Sequence, residues 1–180
     1  MVCIFLADGF EEMEAIIPRD ILKRGRVDVF TVGVTGETVT SAYGLKIKTD
    51  MTIDDVSVSK LEGIILPGGM PGTTNLEQSE KLKNIITHCN DDKIMIGAIC
   101  AAPSILGKMG ILDGKLACCY PGFEKYLKGA KISEDKVAKA DNIITSKGPG
   151  TAIEFGFALL DYIKGDHFSD TVKNGMIYLN

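Results

Sequence analysis

The amino-acid sequence predicts an α/β fold in which helices cover both faces of a mostly parallel sheet. Three observations carry this expectation. Short, continuous, β-branched apolar runs suit strands buried on both faces. Amphipathic stretches of helical period lie between them. Glycine and proline punctuate the junctions. Alternation of this kind calls for parallel strands joined by crossover helices.

Taken in chain order, the strands fall at residues 3–7, 27–32, 63–66, 94–99 and 143–145, and the helices at 12–23, 79–89, 102–109 and 151–164. Two stretches depart from simple alternation. Residues 37–49, ETVTSAYGLKIKT, read as a hairpin turning near Gly44, and residues 131–145 read as further antiparallel strand. Pro18 lies inside the first helical pattern, where a missing backbone donor is expected to kink the helix. Residues 166–180 read as a short helix followed by an irregular tail, and no repeat, low-complexity tract or linker divides the chain.

Composition bounds the function. A length of 180 residues suits one domain spanning residues 1–180, with 45% hydrophobic and 24% charged residues supporting a full core. Net charge is −4 and the isoelectric point is near 5.2, with no dense Lys/Arg cluster, so nucleic acid is not an expected partner. The opening MVCIFLADGFEEME lacks the basic flank and apolar length of a signal peptide, and nothing approaches the roughly 20 apolar residues of a membrane span. No membrane partner and a cytoplasmic location are therefore expected. Five cysteines, at positions 3, 89, 100, 118 and 119, form an odd, irregular set without CxxC pairing, which suits a reducing compartment. The two histidines, His88 and His167, stand apart from any ligand cluster, so no metal is expected.

The chemistry concentrates in KIMIGAICAAPSILGKMG, where an apolar strand meets Gly97, Ala98, Cys100, Ala101 and Pro103 before a new helix. Small residues permit a sharp turn that exposes one side chain above the sheet. A helix N-terminus also stabilises negative charge, so a lowered thiol pKa is expected there. The competing reading of Cys100 is a small packed thiol. A second glycine-rich strand end, GIILPGGMPG with Gly68 and Gly69, favours the reactive reading, because ligands of open α/β sheets bind outside the carboxyl ends of strands. A third strand end, LADGFEEMEA, brings Glu11, Glu12 and Glu14 to a helix start. The first two suit the helix dipole, whereas Glu14 shares a face with Ile17 and Ile21 and is expected to point inward.

In this order, GFEEME, LPGGMPG, GAICAAP and TSKGPGTAIEF resemble the ThiJ/PfpI superfamily over essentially the whole chain, and within it the parkinsonism-associated deglycase branch and its bacterial relatives. The resemblance implies a flavodoxin-like three-layer sandwich, Rossmann-like in its winding, and a homodimer. It places the nucleophile on Cys100, its carboxylic acid partner on Glu14, and oxyanion-type amide donors on Gly69 and Ala101, with Gly68 in the same loop. Arg24 matches a basic residue that in the family lies near the dimer interface and the partner's active site, with Met13 and Pro18 in the same contact region. Gly148 and Pro149 match the SRGPG loop, with Lys147 in place of its arginine. Ala101 stands where peptidase-like members carry histidine, which disfavours peptidase activity. Tyr120, in CCYP, stands where the deglycase branch has the histidine of THP.

What the resemblance implies is a cofactor-free enzyme for small carbonyl substrates, 2-oxoaldehydes such as methylglyoxal or their adducts, with a protective role in carbonyl and oxidative stress. The alternative is a redox sensor working through Cys100 sulfinate. A chaperone reading finds no dedicated feature. Cys118 and Cys119, if they end a strand, point to opposite faces, one toward Cys100 and the other into the core, and the favoured reading is two unreactive buried thiols.

Overall fold

A computed structural model describes residues 1–178. Seven strands form the central sheet: β1 (Val2–Leu6), β2 (Val29–Gly33), β5 (Met51–Thr52), β6 (Gly63–Leu66), β7 (Met95–Ile99), β10 (Val137–Ala140) and β11 (Ile143–Ser146). A hairpin of β3 (Thr38–Thr40) and β4 (Lys46–Lys48) and a small parallel pair of β8 (Leu116–Ala117) and β9 (Lys131–Ile132) stand outside it. The helices are α1 (Glu12–Arg24), α2 (Gly72–Gln78), α3 (Glu80–Asp91), α4 (Pro103–Lys108), α5 (Ala152–Lys164) and α6 (Ser169–Gly175).

The sheet order is β10-β11-β7-β6-β1-β2-β5, and each neighbouring pair is parallel except β10 with β11. Its core, β2-β1-β6-β7-β11, has the flavodoxin-like order, with helices packed on both faces. The period of two along a strand builds those layers. In β1, Val2, Ile4 and Leu6 face the side covered by α1 and α5, while Cys3 and Phe5 face the side covered by α3.

The five sequence-predicted strands and four helices are present, with no end shifted by more than two residues. The hairpin turns at Gly44, whose φ of +92° is a conformation that glycine adopts without penalty. Strands β5 and β8 and helix α2 lie outside the predicted elements, since pieces this short carry too little periodicity; within residues 131–145, β10 and β11 are antiparallel as expected, whereas β9 pairs parallel with β8. Helix α1 runs uninterrupted through Pro18. That proline is buried against α5: a Cβ on Gly156 would come within 3.3 Å of the Pro18 Cα, so Gly156 lets the two helices close.

Chain order reverses between β1 and β6. From β1 the chain leaves into α1 on one face, and from β6 it leaves into α2 and α3, with α3 on the other. Diverging helices leave a crevice at the carboxyl ends of those strands, the position where doubly wound sheets bind ligands.

Candidate active site

Cys100 follows β7 and enters this crevice from an unusual backbone conformation, φ +64°, which a residue bearing a Cβ adopts at a cost. The surroundings hold it there. Its N–H donates to the Ser146 carbonyl at 3.0 Å, and its own carbonyl accepts from the Tyr120 N–H at 2.8 Å. Beside it, a Cβ on Gly68 would lie 2.7 Å from the Cys100 Cβ, 2.8 Å from Glu14 Oε2 and 3.0 Å from the Ala101 nitrogen. Only glycine fits at that point. Gly69 has φ +88°, and a Cβ on it would sit 2.5 Å from the Glu11 nitrogen.

Glu14 lies on the inward face of α1 and is 0% exposed. Its Oε2 accepts the Gly68 N–H at 2.7 Å. Its Oε1 is buried without a well-aligned hydrogen-bond partner, and the neighbouring group that interacts with this carboxyl is the Cys100 thiol. Burial lifts the Glu14 pKa to about 7, against the pull of the Cys100 and Gly68 hydrogen bonds and with help from the charge of Glu11. Glu11 in turn caps α1, accepting the Glu14 N–H at 2.8 Å, while Glu12 accepts the Ser41 hydroxyl.

The backbone amides of Gly69 and Ala101 lie near the Cys100 sulfur and pull its pKa down. The expected lowering of its pKa is not met, however. Burial first, then the charge and hydrogen bond of Glu14, push the thiol up to about 12, and the two amides oppose them. The physical reason is tertiary: α4 begins only at Pro103 and runs six residues, so its dipole is small beside the desolvation of a sulfur 9% exposed. Protonation of Glu14 removes its charge and makes it a donor to sulfur. The pair is therefore coupled: the charge state of one group sets the proton affinity of the other.

Tyr120 is half exposed, with its ring close over Gly148: a Cβ there would lie 3.3 Å from Tyr120 Cδ2. Tyr120 and Gly148 therefore meet beside the Cys100 carbonyl, and Pro149 opens the short turn that follows. Arg24 is not part of this constellation. It ends α1, ten residues and roughly 15 Å of helix beyond Glu14, paired with Asp20 at 2.7 Å. Pro18, expected with Met13 and Arg24 at a dimer contact, is buried within the protomer, whereas Met13 is 47% exposed.

All five cysteines are free and buried. Cys118 hydrogen-bonds Thr145 and the Lys136 carbonyl, and Cys119 lines a separate cavity of about 190 Å³ with Lys147 and Glu134; no side-chain hydrogen bond joins either to Cys100 among the described residues. Among the described residues no group of three or more His, Cys, Asp or Glu side chains could hold a metal, and no helix is long and apolar enough to cross a membrane. Two residues that sequence reasoning passed over, Asp8 and Asn75, link the loops around the site; a single polar residue in a loop or short helix carries no signal of its own.

The chain is similar to "Protein DJ-1 homolog B" of Arabidopsis thaliana, 36% identical over 179 residues, and to "Parkinson disease protein 7 homolog" of Danio rerio, 35% identical over 179 residues. It spans 98% of itself but 41% of the plant protein, and 97% of itself and 95% of the fish protein. A Caenorhabditis elegans protein named "Glutathione-independent glyoxalase DJR-1.2" is 36% identical over 156 residues, 86% of this chain and 83% of that protein. Among solved structures, oxidized Toxoplasma gondii DJ-1 superposes with a TM-score of 0.94 at 30% identity, covering 99% of this chain and 98% of the other. Drosophila melanogaster DJ-1beta superposes with a TM-score of 0.92 at 34% identity, covering 98% and 96%. The DJ-1/PfpI family model matches residues 1–162, and with the flavodoxin-like order and the strand-end cysteine already described, the chain belongs to the DJ-1/PfpI family.

Proposed function

We propose that this protein is a cysteine-dependent, cofactor-free enzyme that converts 2-oxoaldehydes such as methylglyoxal, or their early adducts, to 2-hydroxy acids. The observation that carries the reading is Glu14: a carboxyl fully buried beside the Cys100 thiol, titrating at about 7, can both accept and donate a proton at neutral pH. The similarity to a relative named as a glutathione-independent glyoxalase supports it.

In this reading Glu14 takes the thiol proton as sulfur attacks the aldehyde carbon, and returns it to the new hydroxyl of the hemithioacetal. The Gly69 and Ala101 amides, which surround the sulfur, stabilise charge that develops there. Glu14 then removes the proton on the former aldehyde carbon and delivers it to the adjacent carbon, while the hydroxyl proton passes to the former ketone oxygen, giving a 2-hydroxy thioester. Water hydrolyses the thioester, releasing the hydroxy acid and the thiol. The sum is substrate plus water to hydroxy acid, with no external hydride. Tyr120 and Gly148 line one side, and Gly68 supplies the N–H that orients Glu14.

Two copies pair through the exposed face of α1 in this proposal, where Met13 and Ile16 are 47% and 40% exposed and Arg24 projects from the end. Five free thiols suit a reducing compartment such as the cytoplasm.

Wild-type protein incubated with methylglyoxal, without glutathione or added metal, is expected to produce lactate catalytically; no turnover would sink the enzyme reading. One observation favours a second role. Cys100 is 9% exposed while the other four cysteines are between 0% and 4% exposed, so peroxide is expected to reach it first, two equivalents leaving a sulfinate and two waters. Peptide mass spectrometry would locate the two added oxygens.

A further inference from the structure

We propose that Asn75 is a positioning residue for the Cys100–Glu14 pair, bolting the loop that contains Gly68 and Gly69 to the end of β1. The inference rests on the reading that these two residues react together.

The first loop, after β1, leads to Glu14, and the second, after β6, carries Gly68 and Gly69. They meet backbone to backbone. Glu11 N–H donates to the Gly68 carbonyl at 3.0 Å, and Gly68 N–H donates to Glu14 Oε2 at 2.7 Å. Glycines permit this approach: a Cβ on Gly9 would lie 2.4 Å from Pro71 Cδ, and one on Gly72 would lie 2.6 Å from the Phe10 nitrogen. Surfaces so bare have no interlocking side chains to fix how far one slides past the other. Glu14 is sensitive to such sliding, because its grip on the second loop is the single Gly68 amide.

Asn75 supplies the missing restraint. It sits in α2, which the second loop enters directly, and α2 is tied to that loop by Thr73 N–H to the Gly69 carbonyl at 2.8 Å and Asn75 N–H to the Pro71 carbonyl at 2.9 Å. From there its side-chain Nδ2 donates to the Asp8 carbonyl at 2.8 Å, crossing to the first loop. Asp8 is itself anchored. Its N–H meets the Thr35 hydroxyl at 3.1 Å, and its Oδ1 accepts the Thr40 N–H of the β3–β4 hairpin at 2.8 Å. The Asn75 bond therefore joins the glycine loop to a braced point rather than to a mobile one. Asn75 touches no reacting atom.

The test reads Cys100 alkylation by iodoacetamide against pH, peptide by peptide, in Asn75→Ala and in the nearly isosteric Asn75→Asp, which presents an acceptor to the Asp8 carbonyl. Both variants are expected to react about 3- to 10-fold differently from wild type near pH 7, with a displaced midpoint of the pH profile. Kinetics with methylglyoxal are expected to show the change in kcat and little in KM. Gln78→Ala, on the exposed side of the same helix, is expected to match wild type. A merely structural Asn75 would lower thermal stability and leave the profile in place. That result, or loss of folding in Asn75→Ala alongside a wild-type profile in Asn75→Asp, would overturn the proposal. Alkylation needs no turnover, so absence of lactate formation by wild type would count against the enzyme reading alone.

Discussion

Two segments at the carboxyl end of the sheet carry buried thiols, the turn at Cys100 and the run Cys118–Cys119, and they treat sulfur differently. At Cys100 two backbone amides oppose the rise in the thiol pKa, and a carboxyl that titrates near neutrality lies beside it. Cys118 instead gives its proton toward the Thr145 carbonyl at 3.4 Å, an oxygen that cannot keep it, while the Thr145 hydroxyl donates back at 3.8 Å. Burial raises the thiol pKa at both places, so desolvation alone does not separate them. What separates them is a partner able to carry the proton away. The Cys100 thiol has a neighbour that can take its proton, whereas the Cys118 thiol has only a carbonyl.

The largest expected effect breaks this comparison at its centre. Cys100→Ser should cost at least about 10³-fold in lactate formation, whereas Cys118→Ser should stay within about threefold of wild type, since only the former removes the attacking atom. Equal losses in the two variants would show that the geometry around Cys100 is not what selects it.

Next is Glu14→Gln, which keeps the shape but removes the base. Its expected loss is about 10²- to 10⁴-fold in kcat. In the wild type, kcat/KM should rise with pH through about 7 and level off, as the doubly protonated pair is emptied. Stability moves the other way. A carboxyl raised from 4.5 to about 7 holds its proton longer in the folded state, so folding is favoured below pH 4.5 and loses stability as pH rises to about 7. Glu14→Gln does not titrate and should exceed the wild type by about 2–3 kcal/mol at pH 8, with the gap closing toward pH 4.5. Denaturant melts at the two pH values check the sign.

A smaller effect sharpens the comparison. Gly68→Ala forces a methyl against Cys100, Glu14 and Ala101 without removing a reacting group, and is expected to cost about 10- to 100-fold in kcat, as misplacement of about 1 Å does. Gly175→Ala, where nothing lies within 4 Å of the added methyl, should be silent in the same assay.

Much of this was legible in residue order. Gly63–Leu66 reads as a buried strand because four apolar residues run together between breakers, and it is one. Glu14 was readable as inward because it shares a helical face with Ile21, and both are fully buried. The hairpin at Gly44 followed from alternation around a turn residue. Asn75 was not legible, since its role depends on a loop 67 residues away in sequence. Pro18, set in a contact region by the resemblance, is buried within the protomer, because packing decides which neighbour covers a helix face.

The sequence by itself determined the α/β alternation, the three glycine-rich or acidic strand ends and the inward face of Glu14, since these depend on local period and residue type. Only the tertiary structure decided the protonation chemistry. Desolvation and the distance between Cys100 and Glu14 depend on how α1, β6 and β7 pack together, and that packing raised both pKa values where the local helix end alone pointed to a lower one for sulfur.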